Sequence, residues 1–91
     1  MSILKLTKTL PDGRVAEYHK VAEVQFGDQP GEMVVKLSSY VNLADAVTQA
    51  AGDAMFMIPM TYSGTYEDAL TDVLGKVMAL PDWAGGEIVA V

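Results

Sequence analysis

The feature that most constrains this chain is Ala54–Met60, an uncharged apolar run with a proline inside it. If the run forms a strand, alternate side chains point to opposite sides of the sheet, and both sides are apolar. One side carries Phe56, Ile58 and Met60, and the other carries Met57 and Pro59. Because proline cannot donate to a ladder, we expect this strand at a sheet edge or at a bulge. An apolar edge favours association, so a second copy of the protein is a candidate for covering it.

Length and charge restrict the classes of fold and function. A chain of 91 residues fits a single domain, residues 1–91, with one hydrophobic core. Twelve acidic residues against six Lys and Arg give a net charge of −6. A negative surface repels nucleic-acid phosphates and anionic lipids, so we expect neither nucleic acid nor a membrane as a partner.

Cysteine is absent, which removes disulfides, thiol nucleophiles and thiolate metal sites from consideration. No stretch approaches the roughly 20 apolar residues that a membrane span requires. The segment Met1–Leu6 lacks the apolar core and cleavage pattern of a signal peptide. We therefore expect a cytoplasmic protein that is not secreted through a signal peptide.

Two turn signals predict three antiparallel strands. Pro11–Gly13 is typical of a three-residue hairpin loop with a left-handed glycine, and this loop would pair Leu4 with Lys20. In that register His19 points outward, away from the apolar face. After a second turn, Gly27–Gly31, apolar residues recur at every second position, which is typical of a strand. The length of this turn pairs Phe26 with Met33, Val24 with Val35 and Ala22 with Leu37.

The remainder of the chain predicts helices and a closing strand. Asn42 is a candidate N-cap for a short helix with Asp45 at its third position. Its apolar positions at helical spacing, before Gly52, are Leu43, Ala46, Val47, Ala50 and Ala51. An irregular excursion that leads into the apolar strand is the alternative for this segment. Thr65 and Asp68 form a capping-box pattern before a longer helix that Pro81 ends near residue 79. Its apolar stripe comprises Tyr66, Ala69, Leu70, Val73, Leu74, Val77 and Met78. With a final strand at residues 87–91, the pattern predicts an α+β fold: an antiparallel sheet of four to five strands with one amphipathic helix on its apolar face.

The polar residues give no firm sign of catalysis or metal binding. His19 is the sole histidine, and Glu17 would lie beside it as an orienting carboxylate if it were a base. We interpret it instead as a solvated surface histidine. Glu67, Asp68 and Asp72 are compatible with a divalent cation, but a capped helix with a solvated acidic face explains them better. We predict no catalytic residues, no metal and no cofactor.

Two interaction sites follow from the apolar and aromatic residues. The first is an interface on the apolar strand, formed by Met55, Phe56, Met57, Ile58, Met60 and Tyr62. Thioethers suit both cores and adaptable binding surfaces, so a core role remains open for the methionines. The second is a groove between Tyr62, Tyr66 and Trp83, since aromatic rings with polar tips are common in binding sites. Core positions are the alternative for these rings.

Several short motifs spread along the chain resemble one group of proteins. They are Thr9–Gly13, Tyr18–Val21, Leu37–Asn42 and the segment Tyr66 to Gly86, which ends in Leu-Pro-Asp-Trp-Ala-Gly-Gly. Together they resemble the small proteins encoded among the tail genes of tailed bacteriophages and prophages. The resemblance implies a non-enzymatic virion or assembly component, found in the virion or the bacterial cytoplasm. Its implied partners are further copies of itself or other phage tail proteins. Leu43–Met60 departs from the pattern, so the interface prediction comes from the residues alone.

A second class of function stays open beside this one. A small cytoplasmic ligand- or peptide-binding module would use the aromatic groove, whereas an assembly protein would use the apolar strand. The oligomeric state of the protein discriminates between the two, because a monomer at every concentration would mean that the chain covers its own apolar strand.

Overall fold

The computed structural model describes residues 2–48 and 51–91. In this part of the chain five strands form one antiparallel sheet in the order β4-β3-β2-β1-β5. The strands are β1 (Ser2–Thr9), β2 (Val15–Phe26), β3 (Glu32–Tyr40), β4 (Ala54–Thr61) and β5 (Glu87–Ala90). The helices are α1 (Leu43–Thr48), α2 (Tyr66–Leu70) and α3 (Val73–Met78), and a 3-10 turn follows at Pro81–Trp83. The α+β prediction is confirmed.

The helices cover opposite faces of the sheet. Ile3 and Leu4 are neighbours on β1 and therefore point to opposite sides. Ile3 packs with Tyr40 and with Ala46 of α1 in a small cluster. Leu4 belongs to the main core, which lies between the sheet and the α2–α3 segment. The buried members of that core are Leu4, Met33, Val35, Leu37, Ile58, Ala69, Leu74, Val77 and Trp83.

The first hairpin has the predicted turn, but the register of its two strands differs from the prediction further from the turn. The amide of Leu10 donates to the carbonyl of Arg14 at 2.7 Å, and Gly13 has a φ of +89°. The register then changes by one residue between Lys5 and Lys8, so that Leu4 lies opposite His19 rather than Lys20. An irregularity of this kind places one extra residue on one strand and moves the following side chains to the other face.

The second hairpin repeats this behaviour. Phe26 pairs with Met33 and Val24 with Val35, as the turn length predicts. A register shift between Val21 and Glu23 then brings Val21, rather than Ala22, opposite Leu37. The two shifts together decide which residues of the middle of β2 enter the core.

The helix predicted over residues 65–79 is two short helices, so the prediction of one continuous amphipathic helix is wrong. The chain breaks at Thr71 and Asp72, and Asp72 adopts a left-handed conformation with a φ of 49°. The break turns Tyr66 and Leu70 out of the core, and both are more than half exposed. The apolar spacing that suggested one stripe is therefore shared between two helices with different orientations.

The predicted helix starts are confirmed. The side chain of Asn42 accepts a hydrogen bond from the amide of Asp45 at 2.9 Å, ahead of α1. Thr65 and Asp68 form a complete capping box at α2, with the hydroxyl accepting from the Asp68 amide and the carboxylate accepting from the Thr65 amide. Of the positions predicted for the first helix, Ala50 lies outside the described residues, and Ala51 lies in a bend beyond the end of α1 at Thr48. The closing strand forms at β5 and pairs with β1.

Candidate functional site

β4 lies at one edge of the sheet and is apolar on both faces. Its inner face carries Phe56, Ile58 and Met60. These residues lie opposite Leu37, Val35 and Met33 of β3, respectively. Ile58 is 7% exposed, and the two flanking side chains pack against the same main core. This face is therefore an ordinary part of the hydrophobic interior.

The outer face of β4 is exposed. Met55 and Met57 are 54% and 63% exposed, and Pro59 is exposed on the same side of the strand. The predicted edge position of a strand that contains proline is thus confirmed. We call Met55, Met57 and Pro59 the outer face of β4. Most large apolar side chains are buried in a folded domain, so two neighbouring exposed methionines on an edge strand are a candidate contact surface.

Among residues 2–48 and 51–91, no strand pairs with the outer side of the β4 backbone. The amide of Tyr62 donates to the carbonyl of Gly31 at 2.8 Å, which continues the β3–β4 register beyond Thr61. In an antiparallel ladder alternate residues bond to the neighbouring strand, so the even-numbered residues of β4 bond to β3. The amides and carbonyls of Met55 and Met57 therefore point away from the sheet. Pro59 points the same way, and its missing amide leaves the β3 ladder intact.

The edge carries no charge of its own. Residues 54–62 include no Asp, Glu, Lys or Arg. Lys36 lies opposite Met57, and its Nζ lies 3.3 Å from Glu23 Oε2 on β2. At the start of the strand, Asp53 lies 3.4 Å from a guanidinium nitrogen of Arg14. Carboxylates near this edge are accordingly matched by cations, although the whole chain is acidic.

The structure divides the predicted interface set between the two faces. Met55 and Met57 lie on the outer face and are available for contact. Phe56, Ile58, Met60 and Tyr62 belong to the core or pack against it. Alternation along a strand already separates these groups in the sequence, but the side that the helices cover is fixed by tertiary packing.

The predicted aromatic groove is only partly assembled. The rings of Tyr62 and Tyr66 have centroids 6.1 Å apart, and Phe26 lies 4.4 Å from Tyr66. Trp83 is buried in a different aromatic group, where its ring lies 5.3 Å from Phe56. Tyr62 and Tyr66 line one pocket together with Pro30, and Trp83 lines another beside β4. The expected role of Trp83 as a core residue fits this position better than a groove role.

His19 is buried, and its interpretation as a solvated surface residue is wrong. Its Nδ1 lies 2.6 Å from Ser39 Oγ, and its Nε2 lies 2.7 Å from the carbonyl oxygen of Leu6. Because a carbonyl oxygen only accepts, Nε2 carries the proton, and Nδ1 of the neutral ring accepts from the serine hydroxyl. Burial lowers the pKa of His19, and the charge of Lys8 acts in the same direction. The carbonyl of Leu6 opposes both effects.

This histidine–serine pair is not arranged for catalysis on an external substrate. His19 and Ser39 both have zero exposed area, and the rings of Trp83 and Phe56 pack edge-on against the imidazole. A catalytic nucleophile and its base need room for a substrate atom beside them. Because this pair is closed off from solvent, a substrate does not reach it in this conformation. The pair was missed in the sequence because the register predicted from the turn, continued along β2, sets His19 opposite Tyr40. The shift between Val21 and Glu23 sets it opposite Ser39 instead.

A separate apolar pocket of about 650 Å³ lies where β2 and β5 approach the break between α2 and α3. Val21, Leu70 and Ile88 contribute partly exposed side chains to it. Its other lining residues are Ser2, Lys20, Val24, Asp72, Val73 and Leu74. This pocket could not be predicted from the sequence, because it depends on the register shift at Val21 and on the helix break.

The described residues contain no group of three or more His, Asp or Glu side chains arranged to hold a metal ion. In the same part of the chain, no helix has both the length and the apolar character needed to cross a membrane. Comparisons with protein families, with curated proteins and with solved structures find no match to this chain.

Proposed function

We propose that this protein is a non-enzymatic structural or assembly component from the tail region of a tailed bacteriophage or prophage. It associates with itself or with neighbouring virion proteins through the outer face of β4. The observation that carries the proposal is an uncharged edge strand with exposed methionines and an outward backbone. The phage assignment comes from the sequence motifs, which span most of the chain.

The physical support for association is the cost of leaving such an edge uncovered. Unpaired amides and carbonyls on a strand are a template for another strand, and globular proteins usually protect edges with charge, with proline or with short strands. β4 has eight residues and no charged side chain, so Pro59 is its one protection of these kinds. Pro59 blocks one outward donor, while Met55 and Met57 keep theirs.

The chemistry of the interior supports a non-enzymatic role. The sole histidine of the chain is closed off with Ser39. Asp68 is engaged in the capping box of α2. His19, considered in the sequence as a base, and Asp68, considered as a cation ligand, therefore both have structural roles.

The proposal is tested by measuring the absolute mass in solution of the wild type and of the Met57→Glu variant across a wide concentration range. We expect a defined multimer for the wild type and a monomer for Met57→Glu, since the new carboxylates would meet at the contact. Ile88→Glu is the matched control, because Ile88 is an exposed apolar residue on the opposite edge strand. Equal association of Met57→Glu and wild type would contradict the use of this surface.

A second candidate function is a small-ligand-binding module, and the apolar pocket at the α2–α3 break favours it over the aromatic groove. Its volume falls within the range of about 300–1,000 Å³ that is usual for small-molecule sites. Screening apolar metabolites by NMR would test it. Chemical-shift changes confined to Val21, Leu70 and Ile88 would support a module, and a silent screen would count against it.

A further inference from the structure

The outward backbone of β4 has a geometry that a second copy of the same strand can satisfy. Met55 and Met57 are two residues apart, and each points both its amide and its carbonyl away from β3, as the bond between Tyr62 and Gly31 establishes. In an antiparallel ladder, residues that exchange two hydrogen bonds recur with this same spacing of two. The edge is therefore complementary to itself when the second strand runs in the opposite direction.

We propose that two copies join through β4 about a two-fold axis at Phe56, so that Met55 of each copy lies opposite Met57 of the other. This inference rests on the proposed function and specifies its partner and geometry. The two sheets become one continuous sheet across the axis. Each Met55–Met57 pair exchanges two backbone hydrogen bonds, which uses the outward donors and acceptors of both residues in both copies.

Pro59 disfavours the register with the axis at Met57. In that register Met55 would lie opposite Pro59, which has no amide to donate to the Met55 carbonyl. With the axis at Met55, Met57 would lie opposite Asp53, whose amide already donates to the carbonyl of Ser39 at 2.8 Å. With the axis at Phe56, Pro59 lies opposite Asp53, outside the two central pairs, and both central pairs keep their donors and acceptors.

The side chains agree with this arrangement. Met55 and Met57 of both copies would form a cluster of four thioether side chains on the outer face, replacing the exposure of 54% and 63% seen in the single chain. Unbranched, flexible thioethers fill irregular gaps well, so this cluster can close without strict shape matching. Two chains of net charge −6 can approach at this place because residues 54–62 are uncharged.

The other edge of the sheet is less suited to pairing. β5 contains four residues, and Glu87 on it is charged, whereas β4 contains eight uncharged residues. Short and charged edges are protected from further strand addition. Pairing of β4 with β5 of another copy would also be heterologous, and such contacts extend into rings or filaments rather than closing as a dimer.

Cysteine cross-linking tests the register, because the chain contains no native cysteine. Met55→Cys and Met57→Cys variants are purified separately, oxidised alone and as an equal mixture, and examined on non-reducing gels. In the proposed register Cα atoms of directly opposite residues are about 5.5 Å apart, which suits a disulfide. Two copies of the same position lie on a diagonal about 7–8 Å apart, which is beyond the Cα separation of a disulfide.

We expect the mixture to give several-fold more covalent dimer than either variant alone. Efficient cross-linking of Met57→Cys by itself would place the axis at Met57 and overturn the inference. A mixture of Met57→Cys with Ile88→Cys is the control for edge choice, and preferential cross-linking in that mixture would also overturn it. Absolute mass of both wild type and reduced variants is measured in parallel.

The same data separate the inference from the proposed function. A multimer by mass without preferential cross-linking of Met55→Cys to Met57→Cys would reject this register and leave self-association standing. A monomer at every concentration would reject both. Protection of β4 only in the presence of another virion protein would identify a different strand as the occupant and would reject the second copy.

Discussion

Met57 on β4 lies directly opposite Lys36 on β3, yet the ammonium group of Lys36 contacts Glu23 on its other side. Glu23 is the ladder partner of Lys36 on β2, and the nitrogen–oxygen distance is 3.3 Å. The lysine charge is thereby matched from the inner part of the sheet. Met57 on the outer face of β4 therefore lies beside a lysine whose charge is already neutralised by Glu23. A contact between two acidic chains can form at such a place without bringing unpaired charges together.

This relationship predicts that one added charge has a small effect on stability at position 57 and a large one at position 58. Met57→Glu should change the free energy of unfolding by no more than about 0.5 kcal/mol, since an exposed carboxylate can approach Lys36. Ile58→Glu buries the same charge on the inner face and should cost about 3 kcal/mol or more. Chemical denaturation of both variants provides the comparison. Similar stability of the two would mean that β4 does not separate an interior face from an exterior one.

The outward amide of Met57 can be removed without charge. Met57→Pro should abolish self-association while the fold is retained, because Pro59 shows that β4 accepts proline at an outward position. Met57→Ala keeps the amide and should retain more of the association than the proline variant. Light scattering reports association, and circular dichroism checks the fold. Equal association of the two variants would indicate contact through side chains alone.

Buried His19 should make stability depend on pH in a narrow window. Burial lowers its pKa below the ordinary 6.5, so between those two values the unfolded chain binds a proton that the folded protein does not. The free energy of unfolding should therefore fall as pH decreases below about 6.5, and it should be insensitive to this group at higher pH. His19→Gln, which can still bond to Leu6 and Ser39, should flatten the dependence.

Two carboxylates affect stability in a lower pH range than His19, so their effect can be separated from that of the histidine. Hydrogen bonds from the amides of Arg14 and Thr65 lower the pKa values of Asp12 and Asp68 respectively. Their contribution to stability is present above the ordinary value of 3.8 and is lost as pH falls below it. Denaturation between pH about 5 and about 7.5 thus isolates the histidine. An unchanged slope in His19→Gln would contradict the assignment.

Asp72 and Gly75 should be coupled. Glycine adopts the left-handed conformation of Asp72 without steric cost, so Asp72→Gly should raise the free energy of unfolding by about 0.5–1 kcal/mol. A Cβ on Gly75 would meet the carboxylate of Asp72, so Gly75→Ala cannot gain its full helix propensity in the wild type. In the Asp72→Gly background, Gly75→Ala should gain its full helix propensity. A double-mutant cycle measures the difference, and additivity would contradict the contact.

Local signals in the sequence were sufficient to predict the turns, the helix caps and the position of β4. Pro11–Gly13, Asn42 and Thr65 act over three or four residues, where backbone chemistry decides the outcome. The proline in β4 restricts that strand to an edge for the same kind of reason. These are the parts of the fold that do not depend on distant contacts.

The parts that were wrong depend on contacts between distant residues. The register shifts in β1–β2 and β2–β3 turn His19 into the core, and no residue type at the shifts announces them. The break at Thr71 and Asp72 interrupts an otherwise continuous helical pattern, and Asp72 adopts a left-handed conformation there although no proline or glycine marks the position. The exposed methionines could be named from the sequence, but only the packing of α2 and α3 decides which face of β4 remains open.

The central claim is that a second copy covers the outward backbone of β4, and amide hydrogen exchange tests it most directly. Exchange at Met55 and Met57 is measured by NMR in the wild-type protein over a wide range of concentrations. We predict that protection of these two amides rises with concentration, while the amide of Ile88 on β5 keeps a constant rate. Rapid exchange of Met55 and Met57 at every concentration would contradict the account, because their donors would then remain open to water.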